Sequence, residues 1–294
     1  MSKSKVFFTS VISPERVVDM YKVVGKDLPG RVAVKIHSGE DGNQNYIRPE
    51  FMKKMVEYVK GTVVECNTAY GGARNTTEKH LNLLKKHKWS ECFDVDLLDA
   101  EGPDLEIEIP DGLAIKRNKL GKNIKNYDSL LVLSHFKGHP MGGYGGALKQ
   151  LSIGCASTAG KCIIHSADKT ENQKKLWSKT AEQELFLKAM ADAAGSVVRL
   201  FNGNAVYINM VCNLSVDCDC CAVAEDPCMK DIGILSSADP VALDRACMDL
   251  IYNSQDPGKE HFLERVKSMK GELIMDFAQQ IGYGSKEYDL VVCD

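Results

Sequence analysis

Five of the eleven cysteines lie close together in residues 211–231, and thiols at this density are candidate metal ligands. Aspartate and proline residues between them indicate a loop, whose backbone can aim several sulfur atoms at one centre. Thiolate is a soft ligand that selects zinc, Cu(I) or iron–sulfur clusters. The alternative is that these are free buried cysteines, because a thiol packs like a small apolar group. We favour metal ligation, and the candidate ligands are Cys218, Cys220, Cys221 and Cys228.

The spacing of these cysteines does not select one metal. Cys218 and Cys221 form a C-x-x-C pair, which serves zinc as well as iron–sulfur clusters. The bacterial ferredoxin run C-x2-C-x2-C-x3-C-P is absent, so the spacing predicts no cluster type. Three further cysteines stay open as ligands, namely Cys155, Cys162 and Cys212.

A glycine-rich stretch at residues 135–149 carries the second set of candidate groups. Four glycines within five residues leave backbone N–H groups uncovered, and a helix is predicted to begin near Ala147. Free N–H groups at a helix start bind anions, so we expect Gly143 and Gly145 to contact an anionic ligand. The alternative is a sharp turn that needs glycine for positive φ. Basic side chains beside the loop favour a site, namely His135, Lys137, His139 and Lys149.

Polar loops also follow two successive predicted strands, at residues 31–37 and 62–66. Ligands of open α/β sheets bind at the carboxyl ends of the strands, so we expect these loops and the glycine-rich stretch to line one cleft. His37 and His139 are expected to handle a proton near neutral pH. The ligand-binding candidates in the cleft are Asn45, Asn67, Arg74 and Lys137.

Short β-branched runs alternate with amphipathic helical patterns, which predicts an α/β protein with a largely parallel sheet flanked by helices. With 294 residues, 44% of them hydrophobic, the chain can bury its core as one large domain or two closely joined lobes. Residues 92–126 combine short strands with turn signals, and we place a lobe boundary or an edge insertion there. Ser13-Pro14 and Asp239-Pro240 each predict a helix start.

The charge pattern excludes two classes of partner. The formal net charge is -3, and basic and acidic residues are evenly mixed, so we expect no nucleic acid and no anionic membrane partner. Residues 1–25 contain charges and no long apolar run, which predicts neither a signal peptide nor a membrane-spanning helix. We therefore expect a cytoplasmic protein with reduced thiols rather than disulfides. An iron–sulfur centre would further indicate a low-oxygen, anaerobic setting.

Several motifs in a fixed order carry a family resemblance. They are AVKIHSGEDGNQNYIRPE at residues 33–50, ECNTAYGGARNTTEKH at 65–80, LSHFKGHPMGGYGGALKQLSIGCASTAGK at 133–161, CDC at 218–220 and DIGILSSADPVALDRACMDL at 231–250. With these motifs the chain resembles the family of uncharacterised iron–sulfur centre proteins, a branch of the domain of unknown function 362. The resemblance covers nearly the whole chain.

The resemblance implies an α/β fold and an iron–sulfur cluster, which we take to be a [4Fe–4S] cluster with zinc as the alternative. Many members of the family carry an inserted ferredoxin module between the glycine loop and the CDC motif. Only a short segment, residues 167–183, occupies that place here, and Cys221 and Cys228 extend the CDC pair. The resemblance supplies no substrate.

These observations predict an iron–sulfur protein that performs redox chemistry on a small anionic molecule, as an oxidoreductase with a redox partner protein. In this hypothesis Arg74 and Lys149 hold the anion, and the catalytic residues are His37, His139 and Lys149. A second hypothesis is a zinc or other divalent-metal enzyme without a redox role. A third is a binding module that carries metal or cluster and catalyses nothing.

Overall fold

The computed structural model describes residues 3–294, and its architecture is built on one large β-sheet. The strands in these residues are β1 (Ser4–Thr9), β2 (Val32–Lys35), β3 (Thr62–Glu65), β4 (Val95–Leu97), β5 (Leu105–Glu108), β6 (Arg117–Leu120), β7 (Ser129–His135), β8 (Lys137–His139), β9 (Gly143–Gly145), β10 (Ala205–Val211), β11 (Gly233–Ser237) and β12 (Tyr288–Val292).

Eight of these strands form the large sheet, in the order β12-β1-β11-β10-β7-β2-β3-β4. Strand β11 runs antiparallel to both of its neighbours, β1 and β10, whereas the other adjacent pairs are parallel. The remaining strands form two small antiparallel hairpins, β5-β6 and β8-β9. The prediction of a largely parallel α/β sheet is therefore confirmed.

Helices cover both faces of the sheet. They are α1 (Pro14–Val24), α2 (Pro49–Tyr58), α3 (Thr77–Lys86), α4 (Trp89–Cys92), α5 (Ala147–Lys149), α6 (Thr158–Ser166), α7 (Gln183–Leu200), α8 (Pro240–Asn253), α9 (Lys259–Ser268) and α10 (Leu273–Gln280). The single turn α5 continues as a π-helix over Gln150–Gly154. Among the described residues, no helix has the combined length and apolar composition that crossing a membrane requires.

The core divides into two apolar layers, one on each side of the sheet. Helices α1 to α4 pack on one face, and α5 to α10 pack on the other. Every residue of the central strand β7 is buried, and Leu130 and Leu131 belong to opposite layers. This is the pattern of a parallel strand covered on both faces, where successive side chains alternate between layers.

Helix starts follow the local sequence signals. The Ser13 side chain accepts a hydrogen bond from the Arg16 amide at the start of α1, and proline occupies the next position. Asp239 caps α8 in the same way, through the amides of Val241 and Ala242. Both predicted helix starts are confirmed. They could be predicted because the capping oxygen and the proline both stabilise the first turn of the helix, within a few residues of each other in sequence.

The strand order reverses between β2 and β7. From β2 the chain moves outward to β3 and β4, whereas from β7 it moves the opposite way to β10. The loops that follow β2 and β7 therefore diverge and leave a crevice at their carboxyl ends. In open α/β sheets such a reversal is the usual position of a ligand site.

Residues 92–126 form the outer strand β4, the hairpin β5-β6 and a 3-10 helix, Lys122–Asn126. Their apolar side chains, such as Ile109 and Ile115, belong to the same core layer as α7. The buried Asp192 carboxylate of α7 accepts hydrogen bonds from three consecutive amides, those of residues 113–115. The segment is thus tied to the main core, and its status as a separate lobe stays a prediction.

Candidate functional site

Three potential metal ligands meet at the carboxyl edge of the sheet. His139 ends the short strand β8, and Cys218 and Cys220 lie in the loop after β10. One ligand atom from each residue lies within 4.8 Å of the other two, and 3.8 Å separates Cys220 Sγ from His139 Nε2. Nitrogen and sulfur donors of this kind suit zinc and other soft or borderline metal ions. The protein therefore has a candidate His/Cys metal site.

The residue between the two cysteines holds their loop in place. The buried Asp219 carboxylate accepts a hydrogen bond from His135 Nδ1 at 2.9 Å and forms an ion pair with Lys137 Nζ at 2.9 Å. Burial alone would raise the pKa of Asp219, but these two neighbours outweigh burial and hold that pKa well below its usual value. Lys137, predicted to bind a ligand, instead anchors the loop that carries Cys218 and Cys220.

The two cysteines differ in their readiness to ionise. Burial raises the pKa of the Cys218 thiol, but a hydrogen bond from Cys220 and the ammonium of Lys149 outweigh burial, so this pKa lies well below its usual value. Lys149 Nζ lies 3.4 Å from Cys218 Sγ. The pKa of Cys220 is raised, chiefly because its thiol donates to Cys218. Without metal, the pair therefore favours one thiolate at Cys218.

The other cysteines of the cluster occupy different positions. Cys221 is half-buried beside Cys220, and a hydrogen bond between the two lowers the pKa of Cys221. Cys228 lies outside the His139, Cys218 and Cys220 group, and its Sγ donates to the Leu214 carbonyl at 3.2 Å. The structure also leaves outside this group the cysteines that the sequence kept open, Cys155, Cys162 and Cys212.

A cavity of about 240 Å³ opens beside the metal site. His139, Lys149 and Cys220 contribute to its wall, and so do Arg74 and His37 from the loops after β3 and β2. These five residues come from four separate segments of the chain. The structure thus brings four of the nine predicted catalytic and ligand-binding residues to one cavity wall, at the sheet edge where the rule for carboxyl strand ends places ligand sites.

Arg74 is fixed on one side of the cavity by an ion pair. Its Nε lies 3.2 Å from a Glu40 carboxylate oxygen, and both side chains are buried. Its Nη2 donates to the Tyr70 hydroxyl at 2.8 Å, and Nη1 lies 3.5 Å from His37 Nε2. The guanidinium is therefore held in one orientation, which favours recognition of a planar anion.

Two predicted ligand-binding residues instead stabilise loops. Asn45 Nδ2 donates to the Glu225 carbonyl at 2.8 Å and so joins the loop after β2 to the cysteine loop. Asn67 Nδ2 donates to Thr77 Oγ1 at 3.1 Å, and its Oδ1 lies 3.2 Å from His80 Nδ1. Neither asparagine belongs to the cavity wall. Their amide groups are used by the protein itself.

The glycine-rich stretch precedes a helix whose first amides bind a carboxylate of the protein itself. Gly143 and Gly145 lie in β9, outside the cavity wall. The first amides of the following helix, those of Ala147 and Leu148, donate to the buried Asp244 carboxylate at 2.8 and 3.0 Å. A side chain of α8 thus already binds the first two amides of this helix, and an anion contact at Gly143 and Gly145 stays a prediction. The alternative interpretation of the glycines as turn residues fits Gly143, whose φ is +79°.

Several cavity residues were absent from the sequence predictions. Lys35 and Glu65 stand at the ends of the adjacent strands β2 and β3 and form a buried ion pair at 2.6 Å. Gln150 and Lys161 also line the cavity, and Trp177 lies at its edge. The sequence did contain a signal for Lys35 and Glu65, because each is a charged residue at the end of a largely apolar strand. The positions of Gln150, Lys161 and Trp177 depend on tertiary packing.

Four histidines should make the metal-free fold sensitive to acid, of which His80 and His139 are buried and His37 and His165 are half-buried in the cavity wall. Burial lowers the pKa of His37, His139 and His165 to about 4, and that of His80 to about 3. Unfolded histidine titrates near pH 6.5, so unfolding takes up protons as the pH falls from roughly 6.5 to 4. Burial also raises the pKa of Asp244 to about 6, and its proton release on unfolding offsets one of the four.

We therefore expect a net uptake of about three protons, so the free energy of unfolding falls by roughly 4 kcal/mol per pH unit near pH 5. Urea denaturation followed by circular dichroism at about pH 7 and about pH 5.5, with a chelator present, measures this effect. A midpoint that stays constant or rises towards acid would contradict the burial of these rings.

A protein-family model matches most of the chain. The model described as "Domain of unknown function (DUF362)" matches residues 32–249, which include both the cavity and the cysteine loop. The chain belongs to the DUF362 family. The resemblance inferred from the motifs is thereby confirmed at the level of this family. A search of curated proteins finds no match for the DUF362 chain.

Two solved structures are similar to this DUF362 chain. The lactate racemase apoprotein from Thermoanaerobacterium thermosaccharolyticum shares 16% identity at a TM-score of 0.45, over 70% of this chain and 50% of its own. A Thermotoga maritima protein from a structural genomics programme shares 11% identity at a TM-score of 0.43, over 91% of this chain and 59% of its own. The DUF362 chain thus spans between half and three fifths of the length of these structures.

Proposed function

We propose that this DUF362 protein binds a metal ion through His139, Cys218 and Cys220 and acts on a small anionic molecule beside it. The observation that carries the proposal is the shared position of the ligand group and the cavity. His139 and Cys220 belong both to the group of ligand atoms and to the cavity wall. A ligand in the cavity would therefore contact the metal side of the site directly.

The spacing of the ligand atoms supports a single ion. Ligands placed about 2.0–2.3 Å from a tetrahedral zinc ion lie roughly 3.5 Å apart. The distance of 3.8 Å between Cys220 Sγ and His139 Nε2 is close to that value. Three protein ligands with a fourth position open to a cavity are the usual arrangement of a catalytic zinc ion.

Metal binding depends on which ring nitrogen of His139 carries the proton. Its Nδ1 accepts hydrogen bonds from the amides of Met141 and Gly142 at 3.1 and 2.8 Å, so the neutral ring carries its proton on Nε2. Ligation through Nε2 requires a neutral ring with its proton on Nδ1, so metal binding would have to break the two amide hydrogen bonds to Nδ1. Metal uptake would therefore be coupled to a change of tautomer at His139 and a local shift of residues 139–142.

His139, Cys218 and Cys220 would hold the ion, which when bound would supply Lewis acidity towards an oxygen atom of the ligand. Arg74 and Lys149 bind and orient the anionic molecule through their fixed positive charges. His37 is neutral at pH 7, and its Nδ1 accepts the Gly39 amide, which places the ring proton on Nε2. Because Nε2 already has Arg74 and Cys218 as neighbours, we assign His37 a hydrogen-bonding role in the cavity wall and no proton transfer near neutral pH.

An iron–sulfur centre is the second candidate, and the five cysteines in residues 211–231 favour it. A [4Fe–4S] cluster takes four thiolates, which are spread over the four irons. The thiol of Cys228 is engaged with the Leu214 carbonyl, away from Cys218 and Cys220. Redox chemistry on a cluster would therefore require the loop after Cys221 to rearrange, and a single ion requires no such change.

A metal carrier without catalysis was the third hypothesis. Delivery of a metal requires accessible ligands, but it requires no enclosed space beside them. Here Cys218 is fully buried and the adjacent cavity has basic side chains in its wall, including Arg74 and Lys149. These features support a site that binds a second molecule next to the metal.

Metal analysis of anaerobically purified protein tests the proposal. We expect about one zinc or other divalent ion per chain, with no acid-labile sulfide. Iron in a several-fold excess over the chain, together with matching sulfide, would support the cluster instead. A protein that retains neither metal after reconstitution would contradict both assignments and leave the cysteine loop with a structural role.

A further inference from the structure

One polar group in the cavity wall has no hydrogen-bond partner among the residues that the structure describes. Gln150 is 6% exposed and lines the cavity, and its Nε2 lies buried without a hydrogen-bond partner. Its Oε1 accepts a hydrogen bond from Lys35 Nζ at 3.3 Å, which fixes the orientation of the amide. A buried donor without a partner is costly, so a ligand acceptor is the natural partner for Nε2.

A buried cation shares this part of the cavity. Lys161 is 5% exposed, and its Nζ donates to the Ala156 carbonyl at 2.5 Å. Among residues 3–294, no carboxylate lies within ion-pair distance of Lys161, whereas Lys35 pairs with Glu65. Burial lowers the pKa of Lys161, and the neighbouring Cys66 and Asp99 partly oppose that effect. Lys161 and Gln150 both line the same cavity of about 240 Å³.

The rest of the cavity wall includes an apolar surface. Met141, Ile153, Leu176 and Trp177 contribute to it, and Trp177 is 57% exposed on the 3-10 helix Gln173–Ser178. A volume of about 240 Å³ is slightly below the roughly 300–1,000 Å³ of pockets for drug-sized ligands. The cavity thus suits a small molecule with one polar end and one apolar end.

We propose that Lys161 and Gln150 form a carboxylate-binding subsite, and that the ligand is a small monocarboxylate with an alkyl or aryl group. The unpaired ammonium of Lys161 supplies one positive charge and a hydrogen-bond donor, and Nε2 of Gln150 supplies a second donor. These two donors match the two oxygens of a carboxylate. The inference rests on the proposed function and deepens it, because the carboxylate would be held at Lys161 and Gln150 while an oxygen-bearing group on the remainder of the molecule lies beside the metal, Arg74 and Lys149.

Calorimetric titration with benzoate tests this subsite. The neutral analogue benzamide and inorganic phosphate serve as comparison ligands, and the protein is used both zinc-loaded and after treatment with a chelator. Lys161→Met removes the cation, and Gln150→Leu removes the unpaired donor at similar volume. Lys85→Met, at an exposed position of α3, is the matched control.

We expect benzoate to bind the parent protein and to bind each of the two cavity variants about ten to a hundred times more weakly. The control variant should bind benzoate as the parent does, and benzamide should bind the parent much more weakly. If Lys161→Met does not fold, Gln150→Leu decides the question, because it introduces no charge change.

Equal benzoate affinity in the parent and in Gln150→Leu and Lys161→Met would overturn the subsite. Absence of benzoate binding by the parent, or preference for phosphate or benzamide, would overturn it as well. A failure of the metal proposal has a different signature. In that case the parent protein binds no zinc at His139, Cys218 and Cys220, while the effects of the two cavity variants on benzoate binding remain measurable.

Discussion

Replacement of Cys218 by serine is expected to abolish stoichiometric metal binding. Cys218 is the thiol that the surrounding protein favours as a thiolate, through Lys149 and the hydrogen bond from Cys220. A serine hydroxyl is a hard and weakly acidic group, so it cannot replace a soft anionic ligand. We expect the zinc affinity to fall by more than the roughly 10–100-fold that loss of a supporting partner costs at metal sites. Competition with a chromophoric chelator measures this change.

Two other cysteines provide matched controls for this variant. Cys228→Ser and Cys247→Ser carry the same chemical change outside the His139, Cys218 and Cys220 group. Cys247 is buried in α8, where its sulfur lies 3.4 Å from Asn209 Nδ2. Both controls should retain about one ion per chain. Equal zinc retention in Cys218→Ser and in the controls would remove Cys218 from the metal site.

Loss of the Lys35 ammonium should produce the largest effect on stability. In the variant Lys35→Met, the Glu65 carboxylate stays buried and keeps only the Ser38 amide, at 2.8 Å, among its present partners. An uncompensated charge in the interior costs far more than the ion pair contributes. We expect the free energy of unfolding to decrease by about 3–5 kcal/mol. Urea denaturation of the metal-free protein measures it.

The double variant Lys35→Met with Glu65→Gln separates the buried charge from the loss of packing. Glutamine removes the stranded charge and still offers an oxygen to the Ser38 amide. Stability should therefore recover towards that of the parent. If Lys35→Met alone costs less than about 1 kcal/mol, the value typical of an exposed pair, then the pair is not buried as described.

The sequence predicted where the site lies better than it predicted which side chains form it. Strand periodicity placed His37 at the end of one strand and Arg74 and His139 after two others, and parallel strands end at one edge of a sheet. These three residues do line the cavity. The prediction succeeded because it required only the strand positions and the direction of the chain, both of which are local properties.

The role of the glycine-rich stretch could not be predicted from local sequence. The partner of its helix-start amides is Asp244, which is 97 residues from Ala147 along the chain. On α8, Asp244 lies between Leu243 and Arg245, and an acidic residue in this setting gave only a weak signal of a buried partner. A contact of that separation depends on how α5 and α8 pack together.

The metal ligands in the cysteine cluster were likewise only partly predictable from local sequence. Spacing identified Cys218 and Cys220, because ligands two residues apart in a loop can share one ion. His139 joins them from a hairpin about 80 residues earlier, with a sequence separation of 81 from Cys220. Cys228 is much nearer in sequence, but the loop turns its sulfur towards the Leu214 carbonyl. Proximity along the chain was therefore a poor guide to the third ligand.

The most direct test of the metal assignment is the X-ray absorption spectrum of the metal-loaded protein. With zinc bound by His139, Cys218 and Cys220, the spectrum should show two sulfur ligands at about 2.3 Å and a histidine nitrogen at about 2.0–2.1 Å. An iron–iron distance, or four sulfur ligands without nitrogen, would contradict a single ion held by these three residues.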